Sequence, residues 1–257
     1  MDFITLDLDD LYEIFPDDIR EELFIRIKGS YFQDKTWKNW PKATKAIVPV
    51  IMKHSNARGH SFPSQTRIAR YAGITEKSVR QGFSGLQDFQ DFEIKREFNR
   101  RGWKMCKYWF KPVPKNEIGA VFISHAFFNG GNWAFLSPTA KAIYPVLKYF
   151  CYWDFDLYDK REEIGEDLFY YDEVYRNRKY DYLSADHEAI AEFSGVCKKS
   201  ISSAFQSLEN HHFMEAIEMI NGRETWKLFT IPPYIYKRTF INEQARKRYK
   251  LDEIFTY

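Results

Sequence analysis

The chain has 257 residues, of which 44% are hydrophobic and 18% are aromatic. Such a composition can build packed cores, which excludes a wholly disordered protein, and the length suits two domains of about 100 residues each. The net charge of +2 hides an uneven distribution: residues 1–22 carry −8, residues 55–115 carry +8, residues 154–181 carry −5 and residues 182–234 carry −3. The positive charge is therefore concentrated in the first half of the chain.

Several features indicate a cytoplasmic protein that does not enter a membrane. The start, MDFITLDLDD, lacks the basic region of a secretory signal. Cys106, Cys151 and Cys197 lie far apart, without the spacing of a zinc site or a disulfide framework. Residues 118–140 contain no Asp, Glu, Lys or Arg, yet their glycines and asparagines favour a soluble strand and turn over a membrane span. We expect no metal and no cofactor.

The chain begins with an acidic segment, residues 1–21, whose acidic and apolar residues suit an amphipathic helix that breaks near Pro16. This segment is interpreted as a lid on the first domain, with a partner-binding segment as the alternative. The alternation LFIRI over residues 23–27 predicts a strand, and a helix is expected over residues 41–54. Pro49 lies inside that helix and should kink it.

The next stretch, residues 64–86, reads SQTRIARYAGITEKSVRQGFSGL and has the spacing of a helix-turn-helix. Ile68 and the small Ala69 lie on the inner face of a first helix. Gly73 makes the turn, because glycine adopts a positive φ without steric cost. In the second helix, Gly82 allows the backbones to approach closely.

The second helix of this motif has an apolar stripe formed by Val79, Phe83 and Leu86, which recur at i, i+4 and i+7. The polar residues that must point the other way are Glu76, Lys77, Arg80, Gln81 and Ser84. Thr75 is a good N-cap for this helix, whose N-terminal end would enter a DNA major groove. The alternative is an ordinary solvated helix face.

A β-hairpin is predicted to follow. Phe92–Phe98 and Lys104–Phe110 read as two strands joined by residues 99–102, which form a turn. Such a hairpin after three helices is a wing. Arg100 and Arg101 at its tip are placed for DNA phosphates or a minor groove.

The pattern occurs twice, which indicates an internal duplication. Residues of the helix-turn-helix stretch recur 122 positions later, within residues 190–208, and upstream residues recur 96 positions later, within residues 128–146. In the second copy residues 120–123 predict the opening strand, and Ser137 is the N-cap of a helix that contains Pro145. The two offsets place roughly 26 extra residues between the first two helices of that copy.

The remainder of the second copy has an insertion, a second hairpin and a tail. Residues 154–181 are rich in tyrosine and acid and read as a long loop or an extra helix. Strands are predicted over Met214–Ile220 and residues 225–230, with residues 221–224 as the turn. The tail, residues 235–257, is basic, and its stretch KRTFINEQARKRYK is expected to be helical, either as a solvated helix or as a DNA contact.

Two winged helices in one chain resemble the replication initiator proteins of plasmids and phages. The resemblance rests mainly on FPSQTRIARYAGITEKSVRQGFSGL and LSPTAKAIYPVL and spans residues 23–234. The expected fold is α+β, with tandem winged-helix domains over residues 22–114 and residues 118–234. The acidic segment of residues 1–21 precedes these domains, and the basic tail of residues 235–257 follows them.

The resemblance implies a sequence-specific protein that binds double-stranded DNA and marks an origin. The residues predicted to contact DNA are Thr75, Lys77, Arg80, Gln81, Ser84, Arg96, Arg100, Arg101, Lys104, Lys198, Lys199, Ser202 and Ser203. In the second copy Cys197 replaces the capping Thr75, and the domain is acidic. We therefore expect weaker DNA binding there, with pairing of two copies or docking of replication proteins as the rival role.

Two other functions fit the same parts: a transcription regulator, and an adaptor whose second repeat binds protein. Initiators that nick DNA use two metal-binding histidines separated by one residue, whereas His211 and His212 are adjacent and must point apart. The chain has no GxxxxGK loop for ATP. We therefore expect no enzymatic activity.

Overall fold

The computed structural model describes residues 3–5, 24–98, 104–114, 117, 119–151, 180–183, 186–220, 223–229 and 234–236. Within these residues two successive sets of helices and strands share one hydrophobic core. Cys106, Cys151 and Cys197 are free thiols. No helix among the described residues is long and apolar enough to cross a membrane.

The first half contains both helices of the predicted motif and both strands of the predicted hairpin. Its elements are β1 (Phe3–Thr5), β2 (Phe24–Ile27), α1 (Ser30–Gln33), α2 (Thr36–Asn39), α3 (Lys42–Lys53), β3 (His60–Ser61), α4 (Gln65–Ala72), α5 (Glu76–Ser84), β4 (Phe92–Phe98) and β5 (Lys104–Phe110). Helix α3 continues through Pro49 as one helix. The predicted helix-turn-helix therefore corresponds to α4 and α5.

Local signals in the sequence explain where α4 and α5 begin and end. The Ser64 hydroxyl accepts a hydrogen bond from the Arg67 N–H at 3.1 Å, and the Thr75 hydroxyl accepts one from the Ser78 N–H at 3.1 Å. Each hydroxyl satisfies a backbone donor that the first turn of its helix leaves unpaired. Between the helices Gly73 ends α4 with a φ of 61°, as the sequence predicts.

Helix α5 is held between α3 and the hairpin of β4 and β5. A Cβ at Gly82 would lie 2.7 Å from Ile47 Cδ1 and 3.0 Å from the Ala43 carbonyl oxygen, so only glycine permits this approach to α3. On the hairpin side, the ring of Phe83 stacks on that of Tyr108 with centroids 5.2 Å apart. These contacts confirm Gly82 and Phe83 as inward-facing residues.

The hairpin belongs to a three-stranded antiparallel sheet in the order β3, β5, β4, so β4 is an edge strand. Its pairing is regular from Phe92 opposite Phe110 to Phe98 opposite Lys104. Strand β3 has only two residues, His60–Ser61, and sequence alternation cannot detect so short an element.

The second half repeats this order of elements. They are β6 (Val121–Ser124), α6 (Ala126–Asn129), α7 (Asn132–Phe135), α8 (Pro138–Phe150), β7 (Tyr180–Leu183), α9 (His187–Ser194), α10 (Ile201–Asn210), β8 (Met214–Ile220), β9 (Arg223–Phe229) and β10 (Tyr234–Tyr236). Ser137 caps α8 as predicted, because its hydroxyl accepts a hydrogen bond from the Ala140 N–H at 3.1 Å. Strands β7, β9 and β8 form the second three-stranded sheet in that order.

The two halves exchange equivalent contacts. Strand β2 pairs with β6 in antiparallel register. The Trp37 indole donates to the Ala142 carbonyl oxygen at 2.9 Å, and the Trp133 indole donates to the Ala46 carbonyl oxygen at 3.4 Å. Trp133 and Ala142 lie 96 positions after Trp37 and Ala46. Each half therefore uses the same pair of positions to bind the other.

The turn glycines take part in the same exchange. A Cβ at Gly73 would lie 1.8 Å from the Ala134 carbonyl oxygen, and one at Gly195 would lie 2.4 Å from the Lys38 carbonyl oxygen. Both glycines have a positive φ. Each turn therefore packs against the short helix of the other half that precedes α3 or α8.

Two buried lysines complete the contact region. Lys45 Nζ donates to the carbonyl oxygens of Lys38 at 2.9 Å and Ser194 at 2.7 Å, so it joins α2 to the end of α9. Lys141 donates to two carbonyl oxygens at the end of α7. Burial lowers the pKa of Lys45 to about 8 and that of Lys141 to about 7.

Three sequence predictions were wrong, and in the first two a strand partner distant in sequence overrides the local pattern. Phe3–Thr5, expected in a helix, pairs as a strand with Tyr234–Tyr236, which precede the stretch expected to form a helical tail. Residues 180–181 were assigned to the insertion but lie in β7 and pair with β9. Arg223 and Glu224 were expected in a turn but are the first residues of β9.

The turn predicted within residues 118–140 contains two short helices, α6 and α7. Several other predictions fall outside the described residues. They concern residues 6–21 of the acidic segment, the hairpin turn of residues 99–102, the insertion over residues 154–179, and the tail beyond residue 236.

Candidate nucleic-acid interface

The outward face of α5 carries five of the residues predicted to contact DNA. All five are exposed: Thr75, Lys77, Arg80, Gln81 and Ser84. On the opposite side Val79 and Leu86 are fully buried. The helical period thus separates an apolar face that fixes α5 from a polar face that is open to a ligand.

Glu76 is the acidic residue at the start of this face, and it is already engaged. Its carboxylate accepts a hydrogen bond from the Thr66 hydroxyl at 2.6 Å, which links α4 to the first turn of α5. A negative charge at a helix N-terminus is also stabilised by the helix dipole. Lys77 and Arg80, in contrast, form no ion pair with any described residue.

A groove runs between α5 and the hairpin. It contains a cavity of about 240 Å³, lined among others by Gln65, Arg80, Ser84, Ile94 and Arg96. The described residues that line this cavity include no Asp or Glu, whereas Glu93 lines an adjoining cavity between Leu86 and β4. The groove therefore offers amide and guanidinium donors above an apolar floor.

The two faces of β4 differ in charge. Phe92 is buried against Phe83, so Ile94, Arg96 and Phe98 share the face that is turned toward α5. The residues of the other face are Glu93, Lys95 and Glu97, and Lys95 forms an ion pair with Glu93 at 3.2 Å. The acidic residues of the strand thus point away from the groove.

The start of the hairpin is anchored to α1 by Asp91. Its carboxylate accepts hydrogen bonds from Lys28 Nζ at 2.5 Å and the Tyr31 hydroxyl at 3.1 Å. Burial acts to raise the pKa of Asp91, but the hydrogen bond and charge of Lys28 outweigh it and hold this pKa below its usual value. The hairpin is therefore fixed relative to the helices at its base.

Residues 38–89, which contain α3, α4 and α5, match the family model of a helix-turn-helix domain. This segment is therefore similar to helix-turn-helix domains. The match supports membership of a DNA-binding family for the segment and ends before the hairpin. No curated protein and no solved structure matches the chain.

The predicted contacts beyond the helix-turn-helix domain are only partly described. Arg96 is exposed, as expected. Lys104 is the first residue of β5 and pairs with Phe98. Arg100 and Arg101 lie outside the described residues.

In the second half Lys198, Lys199, Ser202 and Ser203 are exposed as predicted, but the local structure differs from that of the helix-turn-helix domain. Cys197 makes no capping hydrogen bond, and Lys198–Ser200 form a 3₁₀ helix instead of the first turn of α10. Lys198 also forms an ion pair with Glu188 at 2.7 Å, and this hydrogen bond raises the pKa of Lys198. One of the two predicted lysines is therefore already paired.

The sequence reasoning missed three residues near the groove: Gln65, Ile94 and Phe98. Gln65 is the first residue of α4, directly after the Ser64 cap, and that position was a usable signal. Ile94 and Phe98 alternate with Arg96, and such apolar residues in a strand are ordinarily taken as core. Their exposure, 39% for Ile94 and 72% for Phe98, could not be read from the sequence.

Proposed function

We propose that this protein binds double-stranded DNA in a sequence-specific manner, with α5 as the recognition helix in a major groove. The observation that carries the proposal is the exposed face of α5, whose cations Lys77 and Arg80 form no ion pair with the described residues, within a segment that matches a helix-turn-helix domain. Arg80 and Gln81 supply the guanidinium and amide donors that form bidentate hydrogen bonds with guanine and adenine edges. Lys77 is suited to a phosphate contact.

In this proposal the hairpin of β4 and β5 is the wing of a winged helix. Arg96 faces the groove beside Arg80, so it can contact a DNA phosphate next to the bases that Arg80 reads. Arg100 and Arg101 belong to the tip of the wing and contact phosphates or the minor groove. The anchor at Asp91 supports this arrangement, because it holds the base of the wing in place.

We further propose that the chain consists of two tandem winged helices that arose by duplication. The recurrent order of elements supports this, and so does the reciprocal contact of Trp37 and Trp133 with backbone carbonyls 96 positions apart. The first repeat reads DNA. The second repeat binds DNA weakly and positions the first, or it docks a second copy or a replication protein.

The role proposed for this DNA binding is replication initiation at the origin of a plasmid or another mobile element. Support comes from the resemblance to tandem winged-helix initiators. The second candidate is transcription regulation, which is favoured by the helix-turn-helix domain itself, because this motif is common to many regulators. The proposal assigns no catalytic step to the chain.

The first test is a salt titration of duplex binding by the full chain. Neutralising Z phosphates gives a slope of log K against log salt near −0.9Z, so five cationic contacts predict a slope of about −4 to −5. The phosphate contacts counted are Lys77, Arg96, Arg100, Arg101 and Lys104. A slope near zero would contradict DNA binding through this face.

The second test separates replication from transcription. A plasmid that lacks its own replicon receives this gene with its flanking DNA, and its maintenance is followed in a host cell. An initiator maintains the plasmid, and Arg80→Ala abolishes maintenance. If the protein binds a flanking site but the plasmid is lost, the result favours transcription regulation over replication initiation.

A further inference from the structure

The most exposed large apolar side chain among the described residues lies at the end of a hairpin strand. Phe98 is 72% exposed, whereas Phe62 is 51% and Ile94 is 39% exposed. Isolated exposed apolar residues are common on protein surfaces and need no explanation. Phe98 differs because of its position on the groove face of β4, the face that carries Ile94 and Arg96.

Exposure increases along this face from the core toward the hairpin turn. Phe92 is 6% exposed and packs against Phe110, Ile94 is partly exposed, and Phe98 projects into solvent. Arg96 interrupts the apolar series, and the acidic residues of β4 occupy the other face. This face of β4 therefore combines apolar side chains with the cation of Arg96, and none of its described residues carries a carboxylate.

This combination matches the chemistry of a DNA minor groove. Phosphates lie along the rims of the groove and attract cations, whereas its walls are formed by sugar rings. In the sequence Phe98 is followed by Asn99, Arg100 and Arg101, so two more cations come within three positions of Phe98 along the chain.

We propose that Phe98 enters the DNA minor groove next to the site read by α5 and acts as a wedge that bends the duplex. This inference rests on the proposed function, because it requires that the hairpin lies on DNA. Apolar wedges such as phenylalanine partly unstack a base step and kink the duplex toward the major groove. Pyrimidine–purine steps deform most easily, so the wedge adds a preference for such a step beside the contacted bases.

The wedge and the cations contribute to binding in different ways. Arg96 releases counterions from DNA, so its contribution weakens as salt rises. Phe98 carries no charge, so its contribution leaves the salt slope unchanged. The two roles can therefore be separated in one titration.

The test compares Phe98→Ala with two matched variants in the full chain. Phe62→Ala removes the other exposed phenylalanine, whose ring lies 5.8 Å from Lys107 Nζ, away from the groove face. Arg96→Ala removes the cation on the groove face. The DNA is the duplex selected by the wild-type protein from a random library, labelled at both ends for fluorescence energy transfer and used also for anisotropy.

The expected result is that Phe98→Ala lowers affinity about tenfold, abolishes the bend and keeps the wild-type salt slope. Phe98→Leu restores most of the bend, because leucine is also a wedge residue. Phe62→Ala matches the wild type in affinity and bend. Arg96→Ala reduces the salt slope by about one unit and keeps the bend.

Two results overturn the inference while the proposed function stands: a wild-type complex with straight DNA, or a Phe98→Ala complex with wild-type affinity and bend. Loss of self-association on Phe98→Ala, with DNA binding unchanged, would also overturn it and would assign the residue to a contact between copies of this chain. If the wild type binds no duplex at low salt, the proposed function fails first.

Discussion

Two separate constraints require glycine at position 73. Its φ of 61° is costly for a residue with a Cβ, and the added Cβ would lie 1.8 Å from the Ala134 carbonyl oxygen of the other half. The clash is with backbone, which cannot rotate away as a side chain would. We expect Gly73→Ala to lower the free energy of unfolding by at least about 3 kcal/mol, measured by urea denaturation.

Gly119 provides the matched control for this substitution. It also has a positive φ, of 71°, but its added Cβ would meet no atom closer than Tyr149 Cε2 at 3.5 Å. Gly119→Ala should therefore cost only the backbone strain, about 1 to 2 kcal/mol. Equal losses for the two variants would mean that the contact between the Gly73 turn and Ala134 contributes nothing to stability.

His54 predicts how stability depends on pH. Burial, with smaller contributions from the charges of Lys53, Arg67 and His125, lowers its pKa from 6.5 to about 3. Between about pH 6.5 and 3, His54 is therefore protonated in the unfolded chain but not in the folded chain. Stability consequently falls as the pH decreases through this range. The His54 contribution is a loss of about 1.4 kcal/mol per pH unit.

The measurement is the free energy of unfolding between about pH 5 and 7 for the wild type and His54→Leu. In the variant, the slope of the free energy of unfolding against pH should be smaller by about the contribution of one proton. The remaining slope is expected from the other buried histidines, chiefly His125 and His211, because burial lowers the pKa of His125 to about 3 and that of His211 to about 4. Parallel pH curves for the two proteins would show that His54 titrates normally in the folded state.

The helices α5 and α10 occupy equivalent positions in the two halves but differ in their N-terminal caps. Thr75 supplies the capping hydroxyl for α5, whereas Cys197 makes no capping hydrogen bond. Thr75→Ala should cost about 1 kcal/mol, and Cys197→Thr should add stability of the same order, both measured as changes in urea midpoint. A destabilising Cys197→Thr would show that packing, not the missing cap, determines the 3₁₀ turn.

At the level of elements, most of the first half could be predicted from the sequence. The cap Thr75, the turn at Gly73 and the two hairpin strands were predicted from local signals, and the structure confirms each. The strands β1, β3, β7 and β10 could not be predicted in this way. They are short, and their pairing partners lie far away along the chain.

The same contrast between local and long-range information applies to the candidate site. The exposed face of α5 could be predicted because helical periodicity assigns each residue to a side. The groove could not, because it requires the packing of Phe83 on Tyr108 to bring β4 beside α5. The engagement of Lys198 by Glu188 also required the structure, because these residues come from different helical segments.

On the scale of the whole molecule, the two halves form one unit. The buried hydrophobic residues make a single cluster that includes Ile47 from α3 and Ile143 from α8. Strand β2 pairs with β6, and each half donates an indole hydrogen bond to the other. A separated half would expose this shared core, so the function is best tested in the full chain.

The central claim is that this unit reads duplex DNA through α5. The most direct measurement is fluorescence anisotropy of the full chain on its selected duplex and on random duplex, for the wild type, Arg80→Ala and Arg58→Ala. Arg58 is an exposed cation outside α5 and the hairpin, so its removal controls for net charge.

Arg80→Ala should lose about 1 to 3 kcal/mol of binding free energy on the selected duplex and much less on random duplex, because a base contact is lost. Arg58→Ala should bind both duplexes like the wild type. Equal losses on selected and random DNA for Arg80→Ala would contradict the account, because α5 would then contribute only charge.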